Sequence, residues 1–238
     1  MGKKIFPTIR PSSLITHHSS QITGVVLAAG AGRRMGRPKL LLPYRGRPLL
    51  EWTLELVEGL PLERRLIVLG AQAEESLLRL FRYPLSVIRD PLPITHNPSP
   101  ITHHPFRVTR HGVPWEVLIN DRWEEGMGSS LRLAAQHVKG GMLLFLGDMP
   151  EVPEEAALAV LKEAGGRPVA PSYRGRRGFP VYLPPSLRPR LLELSGDIGA
   201  RRLIEDGCEL IPCDDPGVVR DVDVEEDLKC ARPDRLKS

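Results

Sequence analysis

A loop that combines glycines with positive charge follows the first apolar run of the chain. The run at 25–27 predicts a buried strand, and Gly30 and Gly32 after it would let backbone N–H groups approach a ligand closely. Arg33 and Lys39 add two cationic side chains to the same loop. Backbone donors and cations together at the carboxyl end of a strand are suited to hold a polyphosphate. We therefore predict that this loop binds phosphate groups.

Two better-known phosphate motifs do not fit this loop. A P-loop has Ser or Thr directly after its Gly-Lys pair, whereas here two residues separate Gly36 from Lys39 and Leu40 follows the lysine. The dinucleotide motif G-x-G-x-x-G fails because Met35 occupies its third glycine position. The glycines alone would also suit a simple turn between a strand and a helix, but the cations favour phosphate binding.

Three aspartates are candidate metal ligands. Asp148 follows an apolar run at 142–146, so its carboxylate would lie at the carboxyl end of a strand, where Mg²⁺ bound to phosphate oxygens needs one or two carboxylates. Asp221 and Asp223 alternate, so in a strand both would point to one side, and one of the two would complete the metal site with Asp148. Two structural alternatives remain open. Asp148 would then be a turn residue beside proline, and Asp223 the N-cap of an acidic helical turn.

Two further segments carry groups that could contact substrates. The turn at 126–131 leads into a predicted helix, so it is either a helix cap or a place where backbone groups contact a base or ribose. The arginine-rich turn at 173–180 is either a solvated loop or a site for a second anionic substrate. A glycine-bounded turn at 195–201 precedes another predicted helix.

Strands alternate with helices from residue 24 onward. This order predicts an α/β fold, with a mostly parallel sheet covered by helices on both faces and ligands bound at the carboxyl ends of its strands. The predicted strands are 24–29, 65–69, 115–120, 142–146, 168–171, 179–183, 208–212 and 218–221. The predicted helices are 48–60, 71–81, 129–138, 154–164, 200–205 and one that begins at 224.

The pattern predicts one domain over residues 23–230, between a flexible tail at 1–22 and a C-terminal tail at 231–238. Residues 91–114 form a predicted loop that is too long for an ordinary connection and is rich in histidine and proline. An Ile-Thr-His unit occurs once in the N-terminal tail and twice in this insertion. We favour a passive insertion over a histidine metal cluster, because no acidic or cysteine ligands accompany the histidines at metal spacing.

Composition excludes several classes of protein. The net charge of +4 is modest and lacks the concentrated basic stripe of a nucleic-acid binder. Three cysteines without a C-x-x-C pair argue against a disulfide framework and favour a reduced, cytoplasmic protein. No apolar run is long enough to span a bilayer, and the N-terminus lacks the apolar region of a signal peptide. We expect neither nucleic acid nor a membrane as a partner.

Six motifs in this order resemble the molybdenum cofactor cytidylyltransferase branch of the MobA-like NTP transferase family. They are LAAG-x-G-x-RMG-x-PKLLLP at 27–43, N-x-x-W-x-x-GMGSSL at 120–131, LGDMP at 146–150, RG-x-P at 177–180, GD-x-GAR at 196–201 and DVD-x-x-x-D at 221–227. The resemblance covers 24–89 and 115–228. It implies a GT-A-like nucleotidyltransferase fold and an enzyme that moves a cytidylyl group from CTP to the phosphate of a molybdopterin-type cofactor, releasing pyrophosphate.

The resemblance also implies roles for individual residues. Catalysis would rest on Arg33, Lys39 and Asp148, and Mg²⁺ would be held by Asp148 and Asp223. The implied nucleotide-binding residues are Leu27, Ala28, Ala29, Gly30, Gly32, Arg33, Lys39, Gly128, Ser129 and Ser130. The implied acceptor-binding residues are Arg177, Gly178, Phe179, Pro180, Asp197 and Arg201. The implied partners are an NTP, the cofactor acceptor and a molybdoenzyme or its chaperone.

Small differences in the first loop bear on the base. Ala29 before Gly30, and Pro38 before Lys39, resemble the cytidylyl branch, whereas the guanylyl branch tends to have a second glycine and an acidic residue there. Two positions depart from the family: Phe179 replaces a histidine, and Val224 replaces a threonine. The alternatives are a guanylyltransferase on the same cofactor, an NTP transferase on a sugar or polyol phosphate, and a delivery protein that binds nucleotide or cofactor without turnover.

Overall fold

The computed structural model describes residues 22–30, 38–71, 73–82, 105–194 and 207–224, together with residues 196, 203 and 227. Its strands are β1 (Ile22–Ala28), β2 (Pro43–Tyr44), β3 (Arg47–Pro48), β4 (Arg64–Leu69), β5 (Phe106–Arg110), β6 (Val113–Ile119), β7 (Gly141–Leu146), β8 (Val169–Tyr173), β9 (Arg176–Arg177), β10 (Val181–Leu183) and β11 (Glu209–Pro212). Its helices are α1 (Leu49–Gly59), α2 (Ala73–Leu80), α3 (Met127–His137), α4 (Glu154–Lys162) and α5 (Arg188–Leu192). Short 3₁₀ turns cover Lys39–Leu41, Trp123–Glu125, Pro185–Leu187 and Pro216–Val219.

The main sheet is mixed, with the strand order β11-β8-β10-β7-β1-β4-β6-β5, and β9 pairs with β8. The central strands β7, β1, β4 and β6 run parallel to one another, and β11 runs parallel to β8. β5, β9 and β10 are antiparallel to their neighbours. The α/β class with a mixed, mostly parallel central sheet is confirmed. β2 and β3 form a separate small hairpin.

Strand β1 is buried along its whole length because helices cover both faces of the sheet. Val26 and Phe145 pack on one face with α1, α2 and α4, while Val25 and Leu144 pack on the other face with α3 and α5. Such continuous apolar strands are typical of parallel sheets that are covered on both sides. None of the helices within the described ranges combines the length and the apolar character that crossing a bilayer requires.

The central parallel strands end at a common edge of the sheet, and candidate phosphate-binding and metal-binding residues follow these ends. Leu27 pairs with Leu146, and Ala28 pairs with Leu69. The loop after β1 and Asp148 after β7 therefore start next to each other. This edge is the one at which open α/β sheets bind their ligands.

The prediction that 91–114 is a loop was wrong for its last part. Phe106–Arg110 is strand β5, which forms a hairpin with β6 through His111 and Gly112, whose φ angles of 50° and 82° make the tight turn. Val108 and Arg110 of β5 are buried while Arg107 is exposed, so the segment alternates as an edge strand does. The strand was not predicted because the Arg-Val-Thr-Arg sequence does not alternate between apolar and polar residues. Residues 83–104 lie outside the described residues.

Two other boundaries need correction. The predicted strand at 218–221 is instead the 3₁₀ turn Pro216–Val219, because the Asp215 carboxylate accepts a hydrogen bond from Gly217 N at 2.8 Å and caps the turn. Ile22, assigned to the N-terminal tail, is the first residue of β1. The rest of both tails, the predicted helix at 200–205 apart from residue 203, and most of the helix predicted from 224 lie outside the described residues.

Replacing Arg110 by methionine is expected to destabilise the fold by about 3 kcal/mol. The Arg110 side chain is 2% exposed and donates to Glu58 Oε2 at 2.6 Å and to Glu51 Oε1 at 3.0 Å, so it ties β5 to α1. Without Arg110, the buried carboxylate of Glu58 would lose its charged hydrogen-bond donor. Urea unfolding measures the effect. Arg107→Met is the control, since that side chain is 83% exposed, and an equal loss in both variants would contradict the prediction.

Candidate functional site

A lysine and two aspartates from distant parts of the chain meet at the carboxyl edge of the sheet. Lys39 Nζ lies 2.8 Å from Asp148 Oδ2 and 3.0 Å from Asp223 Oδ1. Lys39 starts a 3₁₀ turn whose Leu40 and Leu41 are buried, so the lysine is anchored beside the sheet. The Lys39 side chain is 13% exposed, whereas those of Asp148 and Asp223 are 24% and 38% exposed. We call these three residues the ion cluster.

Backbone hydrogen bonds hold the two carboxylates near each other. Val222 N donates to Asp148 O at 3.0 Å, and Gly147 N donates to Leu27 O at 3.0 Å. These bonds join the end of β7 both to the end of β1 and to the segment that leads to Asp223. The positions of the aspartates therefore depend on main-chain contacts as well as on the contacts within the cluster.

The Asp227 carboxylate binds the backbone beside Asp223. The Asp227 carboxylate accepts hydrogen bonds from Asp223 N at 2.9 Å and from Val224 N at 3.0 Å. These two bonds lower the pKa of Asp227, so it remains charged. The Asp223 carboxylate contacts Lys39, and its alternative role as a helix N-cap stays a prediction because residues 225 and 226 lie outside the described residues.

The pKa values of Lys39 and Asp221 are both raised, but for different reasons. Burial lowers the pKa of Lys39, but the charges and hydrogen bonds of Asp148 and Asp223 outweigh it, and the pKa is raised overall. Lys39 is therefore an ammonium ion. Desolvation and the nearby carboxylates of Asp223 and Asp148 raise the pKa of Asp221. Asp221 is a third carboxyl group beside the ion cluster. It does not lie in a strand, so no strand geometry directs its side chain to the same side as that of Asp223.

The carboxylate pair fits a divalent metal ion. Asp148 and Asp223 already direct one oxygen each at a single cation, the Lys39 ammonium. Oxygen ligands of this kind are the ones that Mg²⁺ and Mn²⁺ take in proteins. Within the described ranges no three His, Cys, Asp or Glu side chains gather as a metal site, so protein ligands alone do not complete a coordination sphere there. Phosphate oxygens or water would have to complete it.

The predicted nucleotide-binding residues at the end of β1 lie beside the ion cluster. Leu27, Ala28 and Ala29 are buried, whereas Gly30 is exposed. The end of β1 packs tightly, because a Cβ on Gly70 would stand 2.6 Å from Ala29 O. Gly32 and Arg33 lie outside the described residues, so the phosphate-binding role of the loop stays a prediction.

The two predicted serines are part of a buried hydrogen-bond network. Asn120 Nδ2 donates to Ser129 Oγ and to Ser130 Oγ, both at 2.8 Å, and the serines are 2% and 3% exposed. Ser129 Oγ also lies 2.8 Å from Gly126 O, which explains the spacing of Asn120 and the serines in the motif. A Cβ on Gly128 would collide with Gly196 O. Nucleotide binding by Gly128, Ser129 and Ser130 stays a prediction.

The predicted acceptor turn lies against the segment that leads to Asp223. Gly178 N donates to Pro171 O, and Phe179 N donates to Val218 O, both at 2.7 Å, and the Phe179–Pro180 peptide bond is cis. A Cβ on Gly178 would collide with Val218 O, so only glycine fits there. Phe179 is partly buried against the apolar core. Asp197 and Arg201 lie outside the described residues.

One nitrogen of the Arg177 guanidinium is buried. Its Nη1 is enclosed and meets no hydrogen-bond acceptor among the described residues. A buried guanidinium N–H without an acceptor is costly, so an anion that reached it would be favoured. Its acceptor-binding role stays a prediction.

Sequence reasoning missed Glu151 and Tyr44. The Glu151 side chain is 8% exposed and accepts from Tyr44 Oη at 2.7 Å, from Arg45 Nη2 at 2.7 Å and from Arg220 Nη1 at 3.2 Å. Burial and the bond to Glu151 raise the pKa of Tyr44 to about 12, so the phenol keeps its proton and donates it. The only sequence signal for Glu151 is its position directly after Gly-Asp-x-Pro.

Known proteins share this fold and much of this sequence. The chain is 32% identical over 222 residues to nicotine blue oxidoreductase from Paenarthrobacter nicotinovorans, which covers 87% of this chain and 94% of that protein. A solved homologue of Rv0371c from Mycobacterium sp. strain JC1 has a TM-score of 0.66 at 29% identity, covering 88% of this chain and 94% of that one. The manganese complex of Rv0371c from Mycobacterium tuberculosis has a TM-score of 0.58 at 25% identity, covering 88% and 96%.

The manganese complex of this neighbour is consistent with a metal ion in the present chain, and metal binding by Asp148 and Asp223 stays a prediction. The model of the MobA-like NTP transferase domain matches residues 24–215, a range that includes the loop after β1, Lys39 and Asp148. Together with the ion cluster at the carboxyl edge of the sheet, this match shows that the chain belongs to the MobA-like NTP transferase family and is a nucleotidyltransferase.

Proposed function

We propose that this enzyme transfers the cytidylyl group of CTP to the phosphate of a molybdopterin-type cofactor, with Mg²⁺, and releases pyrophosphate. The observation that carries the proposal is the ion cluster, in which one lysine and two carboxylates meet beside the loop after β1. A triphosphate needs cationic side chains, and its metal needs carboxylates, and this edge of the sheet offers both.

Each residue has a distinct task in this reaction. Asp148 and Asp223 would hold Mg²⁺, which when bound neutralises charge on the leaving pyrophosphate. Lys39, with Arg33, would bind oxygens of the triphosphate. An oxygen of the acceptor phosphate then forms a bond to the α-phosphorus while the bond to pyrophosphate breaks. The acceptor phosphate is already an anion, so the protein needs to align it but not to deprotonate it.

The choice of CTP and of the acceptor has separate support. Ala29 and Pro38 in the first loop match the pattern of the cytidylyl branch. The buried Nη1 of Arg177, which meets no acceptor within the described part of the chain, would receive an anionic group of the acceptor. Phe179 presents an apolar phenyl ring rather than an imidazole at the same turn, so it would contact the acceptor through its apolar face. The nucleotidylated cofactor would then pass to a molybdoenzyme or its chaperone.

The test is acceptor-dependent release of pyrophosphate. Purified protein with Mg²⁺ is supplied with CTP or GTP and with molybdopterin cofactor, a sugar phosphate or a polyol phosphate, and the product is identified by mass spectrometry. We expect the cytidylylated cofactor from CTP, at a rate at least about tenfold above that with GTP, because even a small misfit in a substrate pocket costs about 1–3 kcal/mol. Transfer to a polyol phosphate alone would overturn the choice of acceptor, and transfer only from GTP would overturn the choice of base.

A second candidate is a redox reaction, because one relative is named nicotine blue oxidoreductase. The first loop lacks the G-x-G-x-x-G pattern with which nicotinamide cofactors are commonly bound. The assay mixes the protein with NADH or NADPH and nicotine blue, and the absorbance of the reduced nicotinamide measures its oxidation. Turnover there together with no nucleotidyl transfer would favour the redox reaction over the proposed one.

A further inference from the structure

Glu151 joins the two segments that bring Lys39 and Asp223 to Asp148. One of its carboxylate oxygens accepts from Tyr44 and Arg45, and the other accepts from Arg220. Tyr44 follows Lys39 by five residues, Asp223 follows Arg220 by three, and Glu151 follows Asp148 by three. One buried carboxylate thus contacts chain segments that carry all three members of the ion cluster.

Packing around Glu151 leaves little freedom to these segments. Its carbonyl oxygen is so close to Gly217 that a Cβ on that glycine would collide with it. On the other side, Trp52 Nε1 donates to Tyr44 O at 2.9 Å, and the Tyr44 and Trp52 rings meet edge to face at 6.2 Å. The hairpin of β2 and β3 is therefore fixed both to α1 and to Glu151.

Glu151 does not itself contact the ion cluster. Its side chain is committed to Tyr44, Arg45 and Arg220, so any effect on Lys39 or Asp223 passes through the chain segments that it joins. A displacement of about 1 Å in a reacting group lowers rates by about a hundredfold, and partners beyond the direct metal ligands commonly change metal affinity by about tenfold or more.

We propose that Glu151 is a positioning residue that sets the distance of Lys39 and Asp223 from Asp148, and with it the affinity of the site for a metal–nucleotide complex. The proposal rests on the proposed function, since it names what holds that site together. It assigns Glu151 no contact with substrate. It predicts that losing this carboxylate harms binding of metal and nucleotide beyond what loss of stability explains.

The test compares Glu151→Gln with Glu58→Gln in the full chain. Glu58 is an equally buried carboxylate, also 8% exposed, with donors from Arg110 and Trp115, but it lies at the far end of α1, beside the start of β4. Binding of Mn²⁺ in the presence of CTP is measured by electron paramagnetic resonance, and melting temperatures are measured alongside. We expect both variants to melt lower, but only Glu151→Gln to bind Mn²⁺ with CTP about tenfold more weakly than the wild type.

Equal Mn²⁺ binding by the two glutamine variants would overturn this inference alone. Failure of the wild type to bind Mn²⁺ with either CTP or GTP would overturn the proposed function and this inference with it. If Glu151→Gln does not fold, Arg220→Met takes its place, with Arg64→Met as control, because Arg64 pairs with Glu116 away from the site. Weaker Mn²⁺ binding by Arg220→Met only would support the inference, and equal binding by both would overturn it.

Discussion

Replacement of Asp148 by asparagine is expected to slow nucleotidyl transfer by about a thousandfold, which corresponds to about 4 kcal/mol at the transition state. Asparagine keeps the size of the side chain but removes the charge that faces Lys39 at 2.8 Å. The carboxylate pair then offers a divalent metal a single negative ligand. The measurement is the single-turnover rate of product formation with saturating CTP and Mg²⁺.

Weak binding of CTP is expected to survive in Asp148→Asn, because the loop after β1 and Lys39 remain. Titration calorimetry with CTP checks this point. Asp214→Asn is the matched control, since Asp214 is exposed and lies outside the ion cluster, and its rate is expected to equal that of the wild type. Full transfer activity in Asp148→Asn would contradict the assignment of Asp148 as a metal ligand.

Replacement of Lys39 by methionine is expected to lower transfer by about a hundredfold or more, because a cation that faces the phosphates in the transition state is worth about 3 kcal/mol. The same change is expected to strengthen Mn²⁺ binding in the absence of nucleotide. The ammonium lies between Asp148 and Asp223 and competes with any other cation for their oxygens. Without metal the variant should be less stable by about 1–2 kcal/mol, because two carboxylates lose their shared partner.

Melting temperatures with and without Mn²⁺ separate these effects. In Lys39→Met the gain in melting temperature on adding Mn²⁺ should exceed that of the wild type, because the metal replaces the lost positive charge. Lys162→Met, a change of an exposed lysine at the end of α4, should behave as the wild type does. A Lys39→Met protein that binds Mn²⁺ no better than the wild type would show that the ammonium does not compete with metal.

The corrected insertion changes how a deletion should be made. Sequence patterns assigned 91–114 to one loop, yet β5 and the buried Arg110 lie within it. A deletion meant to test whether the histidine repeats are passive should therefore end before β5. The error has a physical reason, because Arg110 is charged and a single strand does not reveal that Glu51 and Glu58 of α1 will receive it.

The sequence by itself determined the parts of this protein that depend on local order. Apolar runs and their spacing predicted the central strands and helices, and the types of residue at Lys39, Asp148 and Asp223 predicted phosphate and metal chemistry. These features can be predicted locally, because a strand is recognised by its own apolar side chains. A ligand site is recognised by the polar residues that directly follow a strand.

Only the tertiary structure decided how those residues meet. The contact of Lys39 with Asp148 and Asp223 spans 109 and 184 positions along the chain, and nothing in the local pattern states which oxygen faces which cation. The contacts of Glu151 with Tyr44 and Arg220 likewise span 107 and 69 positions along the chain. Long-range packing places these groups, because side chains far apart in sequence become neighbours only when the strands between them have paired.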